Sequence, residues 1–573
     1  MKNRFYLLTL AFAALTFVSQ AKAVMPDDDP LPGEGGGEST DTVATDTIVP
    51  VAIVNGETPF ASLDHAFYSS TDSTVTNIQL VDDVHMGMIY LKKGVTVTLD
   101  LNGHGVTIDS LGIYNYGTLT ITDSSEGKTG SMTLDHGNVS LIYNYGDLTI
   151  DNGVFTNSSA EEAASDSRRC LITFAGSKTH IKDGQFTSNG QAMLLAGETV
   201  IDAGHYTTYG NCEVVANYCT DQQLVINGGT FSNQGLASPD NDLRRCLWTG
   251  AGTSTLIKDG TFESGSRVLY LLGSATIDGG SFTTKGNRPV VSNLSLNGDV
   301  TINGGTFTNH SEVIDPDKDQ RYCLVSYQGT RTAINGGTFT SVYQVLVLNG
   351  NATISDGEFV TTGNINVVGN FNVDGELLIS GGAFRNECVL PEDADVVNDC
   401  RCLWANNNTT TTITGGTFIN NATAQTIAVF NAKAFISGGT ITNLGHGSGV
   451  ATNGTVEISG CRISAWNMFI CWPGGTMVCS GGLFSETIPT ELLAEGYQCV
   501  SNTDPATMET YPYKVVKGMP GDVNGDGSVD VADIANVIDV MARSGNDEQA
   551  DVNGDGSVDV ADIANVISIM AEQ

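Results

Sequence analysis

The phrase Ile-x-x-Gly-x-Phe recurs along the middle of the chain, beginning at Ile150, Ile181, Ile201, Ile226, Ile257, Ile277, Ile302, Ile334, Ile354, Ile379 and Ile413, with Tyr206 replacing Phe in the third copy. Degenerate copies begin at Ile436, Ile458 and Cys479, and a weaker one at Ile121. Each copy follows a Thr-rich stretch, itself preceded by a short apolar stretch such as Leu269-Tyr270-Leu271 or Val345-Leu346-Val347. One unit therefore reads as three short strands separated by glycine turns. A unit of about 20–30 residues cannot bury its own Ile and Phe, and must stack on copies of itself. Parallel stacking places identical side chains in ladders about 4.8 Å apart. Ile and Phe then fill the centre, while the Asn, Asp and Gly after each Ile take the turns.

The spacings carry a second period. From Ile150 they run 31, 20, 25, then 31, 20, 25, then 32, 20, 25, so three turns make a super-repeat of 76 or 77 residues. Arg168-Arg169-Cys170-Leu171, Arg244-Arg245-Cys246-Leu247, Arg321-Tyr322-Cys323-Leu324 and Arg401-Cys402-Leu403 recur in one slot, each after an acidic loop (157–167, 232–243, 308–320 and 385–400). The loops should project from one side, one per three turns. Residues 118–484 thus resemble a right-handed parallel β-helix of the pectate-lyase-like class. The expected fold is all-β, with three short strands per turn and about fifteen turns, a rod roughly 70 Å long.

Residues 48–117 read as a cap with the first turns, containing a helix from Phe60 to Ser69 and the strand phrase Val95 to His104. Residues 485–517, with Thr490 to Glu495 and Tyr511 to Val516, read as the closing cap and linker. Caps are required because a bare terminal turn is a pairing edge.

The C-terminus is a near-perfect duplication: Asp522 to Ala542 and Asp551 to Ala571 match at 19 of 21 positions. Each copy begins Asp-Val-Asn-Gly-Asp-Gly-Ser-Val-Asp-Val-Ala-Asp. Oxygen donors fall at loop positions 1, 3, 5, 7, 9 and 12, with the sharp-turn Gly at position 6, as a calcium loop requires. The expected ligands are Asp522, Asn524, Asp526, Ser528 (by its carbonyl), Asp530 and Asp533, then Asp551, Asn553, Asp555, Ser557, Asp559 and Asp562, for two Ca2+ ions. Ile534, Val537, Ile538 and Met541, with Ile563, Val566, Ile567 and Met570, fall at helical spacing after the loops. Residues 518–573 resemble a type I dockerin. The resemblance implies calcium-dependent docking to a cohesin-like partner through loop positions 10 and 11, here Val531-Ala532 and Val560-Ala561. The near-identity of the halves implies two equivalent docking orientations.

Lys2, Arg4, the apolar run Phe5 to Val18 and Ala21-Lys22-Ala23 read as a signal peptide over 1–23. Residues 24–47 hold seven acids and no base, and read as a disordered acidic linker. The expectation is a secreted protein, extracellular, surface-associated or periplasmic, without membrane insertion. The net charge of −38 argues against nucleic acid and anionic membrane as partners.

Catalytic patterns are weak. Asp82-Asp83 with Gly103-His104-Gly105 resembles part of the polygalacturonase pattern, but the rest of it is missing, and a turn-forming Asp with a buried His explains the pieces. Asp183 with Asp202, and Asp259 with Asp278, recur with the super-repeat and read as turn formers. The Arg pairs read as partners of their acidic loops, or as clamps for anionic sugars. Tyr114, Tyr116, Tyr143 and Tyr145 sit in two copies of Ile-Tyr-Asn-Tyr-Gly and read either as edge packing or as a carbohydrate platform. Cys170, Cys246, Cys323 and Cys402 read as buried small hydrophobes. Disulfides remain open for Cys212 with Cys219, Cys388 with Cys400, and a pair among Cys461, Cys471 and Cys479. The expectation is a non-catalytic protein that binds polysaccharide or host glycan along the β-helix. A polysaccharide lyase or glycoside hydrolase is the alternative, and a structural adhesin rod the third reading.

Overall fold

The computed structural model describes residues 49–72, 74–160, 167–236, 242–312, 319–373, 375–389, 399–543 and 549–572. The segments expected to be a signal peptide and a linker, 1–23 and 24–47, lie outside the described residues, as do the middles of the four acidic loops.

Three strands per turn build three sheets, and the ladders follow the motif. In the first sheet Ile150, Ile181 and Ile201 pair in register, and the column runs on to Ile436, Ile458 and Cys479. Leu99 and Ile121 extend it upstream. In the second sheet the Phe column stacks from Phe155 to Phe418, with ring centroids 4.5–5.0 Å apart. Ile441, Ile463 and Phe484 continue it. The third sheet holds the short apolar strands, 16 in all among the described residues, all parallel to their neighbours. The product is a parallel β-helix whose core is one continuous apolar column.

The motif glycine is needed for its backbone. Gly184 has φ +137°, and a Cβ there would lie 3.0 Å from the Phe186 ring and 3.2 Å from the carbonyl oxygen of Gly153. Any other residue would be strained and would crowd the turn beneath.

All four acidic loops leave at the corner between the second and third sheets, as the super-repeat requires: Val154–Asn157 leads to Leu171–Thr173, and Ala383–Asn386 to Leu403–Ala405. A buried Asn clamps each corner. Asn157, for example, donates from Nδ2 to the carbonyls of Val139 (2.9 Å) and Arg169 (3.1 Å), and Asn309 and Asn386 do the same in later super-repeats. The cysteines of the slot face inward: the Cys246 thiol donates to the carbonyls of Phe231 (3.3 Å) and Glu263 (3.1 Å). No disulfide is present among the described cysteines, although Cys388 and Cys400 pack together with Ala422.

The first cap differs from the expectation. Helix α1 spans Leu63–Tyr68 behind the N-cap Ser62, whereas Phe60 ends a strand, Thr58–Phe60, paired antiparallel with Ala52–Val54. Asn55 and Gly56 both take positive φ there, so the turn chemistry favours a hairpin over an earlier helix start. At the other end a hairpin of Tyr497–Ser501 and Tyr513–Lys517 pairs antiparallel with Gly482–Phe484 and covers the second sheet's last edge. Helices α2 (Val531–Ala542) and α3 (Val560–Glu572) follow, around a small core of their own that includes Val523, Val529, Val537, Ala550 and Val566. No helix among the described residues is long and apolar enough to cross a membrane.

Candidate metal centre and outward face

Each C-terminal loop is closed by its own carboxylates. Asp533 accepts from the amides of Asn524 (2.9 Å) and Asp530 (2.8 Å), while Asp530 accepts from Ala532 (2.7 Å), forming a reciprocal cap on α2. Asp522 accepts from Asp526 (3.1 Å) and Gly527 (3.0 Å), and Asp526 from Ser528 (2.9 Å). The second loop repeats this bond for bond: Asp562 with Asn553 and Asp559, Asp551 with Asp555 and Gly556, Asp555 with Ser557. Gly527 and Gly556, at position 6, have φ +93° and +86°.

The donor set fits a hard cation: each loop is all oxygen, with a fully buried position-12 carboxylate that accepts from loop amides and, among the described residues, forms no ion pair. The side chains do not converge as a cluster of three or more acidic, His or Cys ligands among the described residues, because the carboxylates are turned to loop amides. Val531 and Val560 are 71% and 67% exposed, and Ala532 and Ala561 are exposed beside them. Ile538 and Ile567 differ from the helical-core expectation. They stand half exposed, whereas Val537 and Val566 are buried and Ile534, Met541, Ile563 and Met570 pack partly buried against the same small core.

On the third sheet, Tyr114 stacks on Tyr143 (4.5 Å, 6°), and Tyr116 on Tyr145 (4.5 Å, 2°). Tyr90 and Phe174 extend the second stack at either end, at 4.9 and 3.9 Å. Sequence reading missed both, although Ile89-Tyr90-Leu91 repeats the apolar-Tyr pattern one turn earlier. All four predicted tyrosines are partly exposed. Burial and the neighbouring Tyr143 push the Tyr114 hydroxyl up to about 12, so the stack is neutral at ordinary pH.

The acids weighed for catalysis make local hydrogen bonds, and Asp202 also lies 2.6 Å from His180. Asp183 and Asp259 each accept from the next glycine amide at 2.8 Å, and Asp202 and Asp278 accept from Asn227 and Asn303 at 2.7 Å. Asp83 accepts from the Gly105 amide (2.7 Å), and His104 lies 3.7 Å from it. The expected burial of His104 does not hold in full: its side chain is 31% exposed beside the largely exposed Asp83. Arg244 grips Asp242 with two bonds of 2.9 Å, Arg321 grips Asp319, and Arg401 meets Asp399 at 2.7 Å, so these arginines serve their own loops.

Residues 520–570 match the dockerin type I domain. Type I dockerin domains bind calcium and dock to cohesins, and the proteins that carry them are typically extracellular or attached to the cell surface. No curated protein and no solved structure matches the chain.

Proposed function

We propose that the chain is an exported, non-catalytic display protein. Its C-terminal module would hold two Ca2+ ions, one through Asp522, Asn524, Asp526, the Ser528 carbonyl, Asp530 and Asp533, the other through Asp551, Asn553, Asp555, the Ser557 carbonyl, Asp559 and Asp562. Bound calcium would neutralise each acidic loop and lock it onto its helix. The same module docks to a cohesin-like partner through Val531-Ala532 or Val560-Ala561, extended by Ile538 or Ile567, in either of two orientations. The solenoid binds polysaccharide or host glycan on its outward tyrosines.

The observation that carries this reading is the pair of matching apolar patches, Val531 with Ile538 and Val560 with Ile567, exposed in the two halves of a dockerin type I match. Apolar residues held out of the core on a small module are the signature of a partner surface. The non-catalytic reading is supported by Asp183 and Asp259, whose carboxylates serve glycine amides and not an open cleft.

The test is capture of the full chain on immobilised type I cohesin domains with calcium or with chelator, followed by a glycan array. Calcium-dependent capture and glycan binding without depolymerisation are expected. Capture that ignores calcium, or cleavage of a bound glycan, would overturn the corresponding half.

A further inference from the structure

Three arginines stand together where the super-repeat is broken. Arg245, Arg267 and Arg288 precede successive strands of the third sheet, Arg245 being the first residue of its own. The equivalents of Arg267 one super-repeat away are Gln191 and Gln344, and those of Arg288 are Cys212 and Ile365. The guanidiniums of Arg267 and Arg288 are therefore not part of the repeating scaffold, whereas Arg245 has counterparts in Arg169 and Arg401.

Their partners do not balance them. Arg245 lies 3.4 Å from Glu213, and its buried Nε has no hydrogen-bond partner. Arg267 reaches only the Asp242 carbonyl, at 3.5 Å, and Arg288 donates to the neutral Gln320 side chain at 2.8 Å. Among the described residues neither forms an ion pair. Among the described residues these three guanidiniums have one carboxylate within ion-pair reach, that of Glu213, in a chain whose net charge is −38. Burial, then the charges of Arg288 and Arg245, hold the Arg267 guanidinium below its ordinary pKa.

Aromatic rings frame the charges. The Arg245 guanidinium lies 4.3 Å, and that of Arg267 5.6 Å, from the Tyr270 ring centroid. Tyr270 pairs in register with Trp248 on one side and Ser292 on the other. Ser292 is small and its buried hydroxyl is unbonded. Tyr327, 36% exposed, lies within electrostatic reach of Arg267 and Arg288.

We propose that Arg245, Arg267 and Arg288, with Tyr270 and Tyr327, form a subsite for the carboxylate or sulfate group of an acidic glycan. Guanidinium forks match the planar geometry of such oxyanions, and the phenol rings supply faces for the sugar that carries them. The inference rests on the glycan-binding half of the proposed function and names the ligand class, at a site separate from the Tyr114–Tyr145 stack.

The test is calorimetry of the full chain with calcium, using oligogalacturonide (carboxylate), heparin-derived oligosaccharide (sulfate), cello-oligosaccharide (neutral) and a poly-glutamate peptide. One or both acidic oligosaccharides should bind, the pair of arms telling carboxylate from sulfate. Arg267→Gln and Arg288→Gln should each weaken that binding by about tenfold or more. Arg331→Gln, a surface arginine paired with Asp299 on the first sheet, should leave it unchanged. If Arg267→Gln does not fold, Arg288→Gln decides. Acidic binding unchanged in the folded variants, or poly-glutamate bound in preference to both glycans, overturns the inference. Binding of the neutral oligosaccharide alone overturns it while the glycan reading stands, and binding of no oligosaccharide removes both.

Discussion

Tyr206 stacks on Phe186 with centroids 5.0 Å apart and planes 7° apart, and its hydroxyl donates to the Ala203 carbonyl at 2.7 Å. A phenol thus enters an otherwise apolar column without leaving its own hydroxyl unpaired. Tyr206→Phe keeps the stack but strands that carbonyl, and should destabilise by about 1 kcal/mol in denaturant unfolding.

The column itself carries far more. Phe282 is fully buried between Phe262 and Phe307, at 4.9 and 4.8 Å. Phe282→Ala should cost about 3–5 kcal/mol. Because each turn contacts only its neighbours, hydrogen exchange should show the loss centred on the turns around 262–307, with the two caps little affected.

Asp123 supplies a pH signature. Its buried carboxylate accepts from the amides of Gly103 (2.8 Å), Ser125 (3.1 Å) and Gly130 (2.6 Å). Burial alone would raise its pKa, but these donors outweigh burial and leave it lowered. Its contribution is complete above the ordinary carboxylate pKa of about 3.9 and is lost as pH falls through the lower folded value. The stability gap between wild type and Asp123→Ala should therefore be flat from neutral pH to about 5 and narrow below about 4, read by urea unfolding at each pH.

The thiols should divide by burial. Burial raises the pKa of Cys170 to about 12, and pushes up Cys246, Cys323 and Cys402 as well. Native alkylation followed by peptide mass spectrometry should label the exposed Cys471 first and these four only after unfolding.

Legibility in the sequence followed repetition. The Ile and Phe columns, the loop corner and the C-terminal dockerin-like duplication were readable because each repeats the same residue at the same offset. The turn-forming roles of Asp183 and Asp259 were readable for the same reason. Features that depend on register between unlike residues were not. Arg245, Arg267 and Arg288 lie 21 or 22 residues apart, and only the stacked third sheet makes them neighbours. The exposure of Ile538 and Ile567 depends on which part of the apolar stripe the partner helix covers, and spacing alone cannot tell. The first hairpin was signalled by Asn55-Gly56, but the apolar residues after Phe60 suggested an earlier helix start than Leu63.

The central claim is that the duplicated loops bind calcium and thereby set the docking surface. Calorimetric titration of calcium into the metal-free full chain, beside Asp533→Ala, Asp562→Ala and the double variant, tests it most directly. Two ions per chain for the wild type, one for each single variant and none for the double variant is the predicted result. No saturable uptake by the wild type, or uptake unchanged in the double variant, would contradict it.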